Sequence, residues 1–509
     1  MNKGRKFFTL SMLTPCIIGV ASCSKKGSLE NLVFTKDNVV IEHFDGLGVE
    51  WGTYEAPEKL SAGSWERSLK IMDRLNPEVA RVMLNYDWFI TNPDDKGDYD
   101  KTNDTWDYNF SNKLMDNTID ILRYCDEHNI DVAFGCWNVP GNVGVDQYNM
   151  FEEVTSDIRW AKMTADVIEY LVKVQGIHCI KYFVNSNEPN FTGLPGTSKN
   201  YNNTFAIWSQ GVRNVRAALD ARGFQDIKIV GGDTTGFEGT DEYFSGISKS
   251  EELRSKVGDY GFHVYAPNRL IDRGELGPTI KVMYDKMKAN DPELGVSRRP
   301  HIWEGGLLDG KDAATDSNGY IMNFSYGLRM ADYTIQSVLG GVTSVCYWDF
   351  DDGMHFLYHP DNTMTSKGWG MFSSLGSDSA AKQKIRPWFH SSTLLTNLMR
   401  RGSKIIDSGF NDPSVEKDFR SLGVIGPNNS YAGVVAVNRG AKPVVRTFTL
   451  DEKFTDSEKV YVYLYNQTDL QLGQDGFVRY NEVINASIKN TIEIEVPGDT
   501  LLVLSSKEL

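Results

Sequence analysis

The chain has 509 residues, 40% of them hydrophobic and 24% charged, and a formal net charge of −15. That length exceeds one ordinary domain and fits a barrel of about 250 residues or more joined to a second unit. The acidic balance speaks against a nucleic-acid partner, whose phosphates need a basic footprint, and against a membrane contact made by charge alone; neutral polysaccharide is compatible with it.

Residues 1–22 read as a targeting segment rather than as fold. Lys3, Arg5 and Lys6 precede an apolar run over 7–21 that is too short to span a bilayer as a stable helix. The run ends in Val20-Ala21-Ser22-Cys23, which resembles the bacterial lipobox. That resemblance implies lipidation of Cys23, a short tether over 23–28 and a membrane contact made only through the anchor. An ordinary cleavable signal is the alternative. The remaining Cys125, Cys136, Cys179 and Cys346 form no CxxC pair, so a zinc site is not expected and buried free thiols are.

After residue 42 short apolar runs alternate with helical patterns. Strands are expected at 44–51, 79–84, 131–137, 180–185, 227–231, 260–265, 301–304 and 344–350. Helical spacing of apolar residues marks 111–128 with Ser111 as cap, 160–174 and 205–222. Eight strands with helices between them predict an α/β fold, a (β/α)8 TIM barrel over 43–390. A doubly wound open sheet has less support, because no glycine-rich dinucleotide turn follows the first strand. From 403 the pattern changes to strands and turns, at 431–437, 444–450, 459–465, 477–484, 491–496 and 501–504. This predicts a C-terminal antiparallel β-sandwich, assigned to 391–509. The segment 29–42 reads as strands that join it.

A barrel of this kind collects its active residues at the C-terminal ends of the strands. The fourth strand runs into Asn185-Ser186-Asn187-Glu188-Pro189-Asn190, and the seventh ends His301-Ile302-Trp303-Glu304-Gly305-Gly306. Glycoside hydrolysis needs two carboxyl groups flanking one sugar carbon, and these two ends present them. Pro189 disfavours helical geometry at Glu188, and Gly305 and Gly306 are expected to leave room for a ligand. Asn187-Glu188-Pro189 after strand four, with Glu304 ending strand seven, resembles the signature of glycoside hydrolase clan A, the retaining (β/α)8 glycosidases. The appended sandwich is similar to that of families 30 and 39. The resemblance covers roughly residues 43–390. It implies Glu188 as acid/base, Glu304 as nucleophile, Asn187 on a sugar hydroxyl beside the reacting carbon, and a β-linkage.

Other positions fit around that pair. Arg81 on strand two matches the clan's Arg beside the nucleophile, where it would keep Glu304 ionised. His263 and Tyr265 share one side of strand six by alternation, and the resemblance turns that side toward the nucleophile. Trp348 resembles the clan's sugar-stacking Trp. Trp137 and Asn138, ending strand three, and Glu50 and Trp51, ending strand one, read as subsite candidates. The run 349–355 (DFDDGMH) lacks the spacing of a calcium loop and reads as a substrate loop. Glu188 is expected to hold the proton, its pKa raised by Glu304. A carbohydrate is the expected partner, with no cofactor and no metal, on a monomer. Two rival readings use the same barrel: a noncatalytic glycan-binding lipoprotein, and a transglycosylase in which a sugar replaces water as acceptor.

Overall fold

A computed structural model describes residues 31–91, 99–100, 105–137, 154–190, 205–359, 363–374, 384–411, 417–451 and 453–509. The lipobox, the tether and Asn138 lie outside the described residues.

Eight parallel strands close a barrel. They run Gly46–Glu50, Val79–Leu84, Asp131–Cys136, Ile180–Val184, a fifth in two pieces, Asp259–Ala266, Arg299–Leu307 and Ser344–Tyr347, which pairs back onto the first. The fifth strand closes the ring. Its piece Lys228–Ile229 pairs with the fourth strand and its piece Gly232–Thr235 with the sixth. Gly232 makes the step between them at φ 112°, a conformation open to glycine and strained for side-chain-bearing residues. The expected strand 227–231 therefore stops short of the piece that reaches the site.

Composition explains the burial. Val79–Leu84 is buried at every position, as a strand covered on both faces must be. Val79 and Met83 join Ala133, Val184, Val230, Trp303 and Cys346 in one apolar cluster inside the barrel, while Ala80, Val82 and Leu84 join the main core toward the helices. Alternation then puts Arg81 inside the barrel, between Val79 and Met83.

The first barrel helix, Ala62–Leu75, starts on Ser61, whose hydroxyl accepts from the Ser64 N–H at 3.1 Å. The helix expected at 111–128 is Lys113–Glu127, and its cap is Asn112 rather than Ser111. Asn112 Oδ1 accepts from the N–H groups of Leu114 and Met115, both at 3.0 Å, the two free donors that a cap side chain reaches. Ile158–Glu169 starts on Asp157, and its continuation Tyr170–Val174 widens so that Gln175 N–H reaches Tyr170 O at 3.0 Å. Phe205–Ala221 follows the fourth strand. Cys125, Cys136, Cys179 and Cys346 are free and buried.

The C-terminal sandwich packs a seven-stranded antiparallel sheet against three strands. The larger sheet runs Val39–Ile41, Lys404–Asp407, Phe419–Ile425, Ala432–Asn438, Thr500–Ser505, Val460–Tyr465 and Glu482–Ile484. The smaller contains Asn31–Thr35, Val444–Asp451 and Ile492–Val496, with its first pair parallel. The strands before the barrel thus pair with strands from the far end of the chain. Lys404–Asp407 and Phe419–Ile425 are strands beyond those expected from the sequence. The strand expected at 477–484 is two, Val478–Arg479 and Glu482–Ile484, divided where Asn481 turns to bond strand Val460–Tyr465.

Alternation along Ala432–Asn438 serves two cores. Val434 and Ala436 enter the sandwich with Leu32, Phe34, Phe448 and Leu504, while Val435 and Val437 belong to the barrel's continuous core. The helix Pro387–Leu398 runs across position 391 and packs with helix Phe324–Leu339 under this sheet. Asp332 on the latter helix is fully buried and ion-pairs with Arg420 of the sandwich at 2.5 and 2.7 Å. Among the described residues, no helix is long and apolar enough to cross a membrane.

Candidate active site

Arg81 is the centre on which the site is built. Its guanidinium is fully buried and faces the C-terminal ends of four other strands. Nη1 donates to Glu304 Oε1 at 2.7 Å and to Glu50 Oε2 at 3.3 Å, and Nη2 donates to Asn187 Oδ1 at 2.8 Å and Asp233 Oδ2 at 2.9 Å. Three carboxylates around one planar, permanently charged fork compensate its burial and fix their own positions. Burial works against the Arg81 charge, but the charges of Asp233, Glu304 and Glu50 outweigh it and raise its pKa.

Glu188 follows the fourth strand with φ 44°, a left-handed backbone that is uncommon for a residue with a side chain. Pro189 disfavours the right-handed alternative, and the Glu188 N–H is held by Asp233 O at 3.0 Å. Asp233 has φ 57° itself. Two unusual backbones bonded to each other set the Glu188 carboxyl, the kind of local cost that clusters at functional sites.

The sixth strand supplies the link. A register shift between Phe262 and His263 sets His263 opposite Glu304. His263 Nδ1 donates to Glu188 Oε1 at 3.0 Å and stands 3.5 Å from Glu304 Oε2, while Nε2 donates to Asp233 Oδ1 at 3.0 Å. Tyr265 OH donates to Glu304 Oε2 at 2.7 Å. Oxygen atoms of Glu188 and Glu304 lie within 4.8 Å of each other, and His263 lies within the same reach of both. Glu188 is the open member of the pair, with 21% of its side chain exposed against 6% for Glu304.

These contacts set the protons. Burial disfavours a charged His263, yet the charges of Glu304 and Asp233 outweigh it and lift its pKa to about 10. Burial likewise pushes Glu188 up, but the hydrogen bond and charge of His263 pull it below its ordinary value. Glu304 moves up, driven by burial against the opposing charges of His263 and Arg81 and reinforced by Glu188. Burial raises Glu50 to about 8. The expectation that Glu188 carries the proton in the free protein is therefore corrected: His263, charged and in contact, holds Glu188 ionised.

Trp137 and Trp348 line the same end. The Arg81 guanidinium lies 5.0 Å from the Trp137 ring, and Trp137 meets Trp348 edge-on at 5.6 Å. His355 stacks on Trp348 at 5.2 Å and 8°. Both indoles remain partly accessible.

Several sequence expectations change. Trp51 is fully buried, stacked on Trp65 and edge-on to Tyr124 and Phe350, so it belongs to the core and not to a subsite. Alternation turns it to the helices because its neighbour Glu50 turns inward. Glu50 and Arg81 are both fully buried and cannot touch a sugar; they brace the carboxylates from beneath. Gly306 serves Tyr265 rather than a ligand, since a Cβ there would stand 3.1 Å from that ring, and a Cβ on Gly305 would stand 3.1 Å from the Tyr333 hydroxyl. The run 349–355 is a brace rather than a substrate loop. Asp351 accepts from Tyr54 OH at 2.7 Å and from the N–H groups of Gly353 and Ser374 at 2.9 Å, and Asp352 is paired with Arg386. Its His355 reaches the site through the Trp348 and Trp137 rings.

Asp233 is the functional position that sequence reading missed. Gly231-Gly232-Asp233 reads as a turn, and its one signal is a carboxylate at the end of the fifth strand, the same pattern that marks Glu304. Among the described residues, the one group of three His and carboxylate side chains close enough to share an ion is Glu188, His263 and Glu304. In its charged form His263 carries a proton on both ring nitrogens, directed at Glu188 and Asp233, and offers no lone pair to a metal.

No family model matches the sequence, and no curated relative does. Solved structures are similar over nearly the whole chain. The catalytic domain of glycoside hydrolase family 30 xylanase C from Talaromyces cellulolyticus superposes with a TM-score of 0.63 at 12% identity, over 94% of this chain and 99% of that one. A conserved exported protein from Bacteroides fragilis gives 0.65 at 12%, over 94% and 100%. The endo-β1,6-glucanase BT3312 gives 0.60 at 12%, over 94% of each. At such identity the likeness establishes the fold: an α/β barrel with a C-terminal β-sandwich, of the kind that family 30 glycoside hydrolases adopt.

Proposed function

We propose that the protein is a retaining glycoside hydrolase that cleaves a β-linkage in an oligo- or polysaccharide. The observation that carries this reading is the approach of one Glu188 oxygen to one Glu304 oxygen within 4.8 Å, with Glu304 held by Arg81 and Tyr265. Retaining enzymes place their two carboxyl groups about 5–5.5 Å apart, whereas inverting enzymes need about 6.5–9.5 Å to admit water. Binding alone does not require two carboxyl groups so placed.

Glu304 attacks the anomeric carbon while Glu188 protonates the departing oxygen. The glycosyl ester on Glu304 is then opened by water that Glu188 deprotonates, and the sugar leaves with its configuration retained. A sugar seated over Glu188 removes the solvent that now reaches it, which raises its pKa toward that of an acid. Asn187 gives its Oδ1 to Arg81, leaving Nδ2 to donate to a sugar hydroxyl. Trp348 and Trp137 offer flat apolar surface to the ring. The xylanase and β1,6-glucanase names among the similar structures make xylan and β-1,6-glucan the first polymers to try.

The test is hydrolysis of aryl β-glycosides and of xylan, β-1,6-glucan and other plant, fungal and host polysaccharides by the wild type beside Glu188→Ala and Glu304→Gln. Activity lost in both variants supports the reading and identifies the sugar. Tight glycan binding with no turnover on any substrate would replace it with the noncatalytic one.

The lipobox-like Val20-Ala21-Ser22-Cys23 supports export and anchoring through a lipid on Cys23. Labelled fatty acid should enter the wild-type chain and not Cys23→Ala; equal labelling of both would reject the anchor.

A further inference from the structure

The loop after the first barrel strand has two sides. On its inner side Tyr54 OH bonds Asp351 at 2.7 Å, and Glu55 Oε2 accepts from the Phe356 N–H at 3.2 Å, which ties the loop to the segment after strand eight. Its outer side, from Pro57 to Ala62, forms one wall of a separate cavity of about 390 Å³. The other wall is the first two turns of helix Lys113–Glu127. Helices here follow the C-terminal ends of strands, so the cavity opens at the same end of the barrel as Glu188 and Glu304.

The lining has a definite chemistry. Trp65 presses one side against Trp51, with ring centroids 5.9 Å apart, and is half-buried in the cavity wall. Asn117 is buried, and its Oδ1 already accepts from the Tyr54 N–H at 3.0 Å, so Nδ2 is what it offers. Asp116 and Asp120 stand one helical turn apart on the rim, with Glu58 opposite and Lys113 as the one cation in the lining. The volume is that of a small-ligand site.

We propose that this cavity is a second, noncatalytic carbohydrate site that holds a sugar unit of a neutral polysaccharide. An indole face suits the apolar C–H face of a pyranose. Carboxylates one turn apart accept from neighbouring hydroxyls, and Asn117 and Lys113 donate to ring and hydroxyl oxygens. Three acids against one base repel uronic and sulfated chains. A quaternary ammonium ligand would instead need several aromatic rings around it, and the lining holds one. A chain bound both here and in the groove crosses the 51–61 loop, so the site favours polymers over short glycosides. The proposal needs no turnover and stands apart from the catalytic reading.

The test uses the full chain carrying Glu188→Gln and Glu304→Gln together, titrated by calorimetry with xylotetraose, cellotetraose, gentiotetraose and tetramethylammonium, and run through gels containing the matching polymers. Asp116→Ala with Asp120→Ala is added in one variant and Trp348→Ala in another; circular dichroism checks that each is folded. The expected result is binding of a neutral oligosaccharide that survives Trp348→Ala and weakens about tenfold when the two exposed aspartates are removed, the size of one or two lost charge-assisted hydrogen bonds. Binding abolished by Trp348→Ala and untouched by the aspartate variant would overturn the proposal. So would binding of tetramethylammonium with no sugar bound, or no binding by any probe.

Discussion

His263 donates from Nδ1 to Glu188 Oε1 across 3.0 Å while fully buried between strands. The same nitrogen stands 3.5 Å from Glu304, so one positive charge is shared by the two candidate catalytic carboxyls. This makes the ionisation of both glutamates depend on one ring.

The pH dependence follows. His263 pulls both carboxyls down, so His263→Gln raises both. With sugar bound, the acid limb of kcat, set by ionisation of Glu304, and the alkaline limb, set by proton loss from Glu188, both move to higher pH, by roughly one unit. Stability shifts too. The His263 pKa rises from 6.5 to about 10 on folding, so its contribution is full below 6.5 and is lost as pH climbs through 10. Urea titrations between pH 6 and 10 should show a smaller decline in the variant than in the wild type. Unmoved limbs on residual activity would refute the coupling.

Asp233 joins Arg81 and His263, at 2.9 and 3.0 Å. Asp233→Asn keeps the shape and removes the charge, leaving a buried guanidinium and imidazolium each short of one partner. A stability loss of about 3 kcal/mol is expected in urea, together with a fall in the His263 pKa readable by NMR. Wild-type stability with an unshifted His263 would show that the carboxylate has no such role.

The junction between barrel and sandwich rests on Asp332. Arg420 bonds it at 2.5 and 2.7 Å, and Arg439 Nε lies 2.5 Å from it, near enough for charge attraction although poorly aligned for a hydrogen bond. Asp332→Ala leaves the buried Arg420 without a carboxylate and Arg439 with Asp272 alone, and should cost about 3–5 kcal/mol. Asp332 bonds Gln336, Arg420 and Arg439 and none of the groups that hold the carboxyl pair, so kcat of the protein that remains folded should be unchanged. A sandwich that unfolds separately from the barrel in calorimetry, with no loss of total stability, would contradict this account of the junction.

Most of the barrel could be read from the sequence because its strands are short, apolar and punctuated by polar turns. Val79–Leu84 shows this at its clearest, buried throughout and interrupted by one charge. That lone Arg81 is placed beside the nucleophile by the resemblance to clan A and not by the strand pattern itself. Glu188 is legible from Asn187 and Pro189 after strand four, and Glu304 from its place at the end of strand seven. The fifth strand hid Asp233 because Gly232 breaks the run before the piece that carries it. Trp51 was misread because one residue of register decides which face a strand-end side chain takes. Asp351 and Asp352 looked like part of a ligand loop, yet they accept from the N–H groups of Gly353, Ser374 and Gly370 and pair with Tyr54 and Arg386, a tertiary fact that spacing does not encode. Local ionisation was the least legible. Glu188 next to a glutamate reads as an acid, and only the position of His263 shows it held as a carboxylate.

The most direct measurement of the central claim is rescue by azide, using an activated aryl β-glycoside of the sugar cleaved. Glu304→Ala should regain turnover with azide and give the α-glycosyl azide, because azide replaces the nucleophile on the face that the side chain vacates. Glu188→Ala should form the glycosyl ester unaided and give the β-glycosyl azide. Rescue of neither variant, or the same two products with the variants exchanged, would contradict the assignment of Glu304 as nucleophile and Glu188 as acid/base.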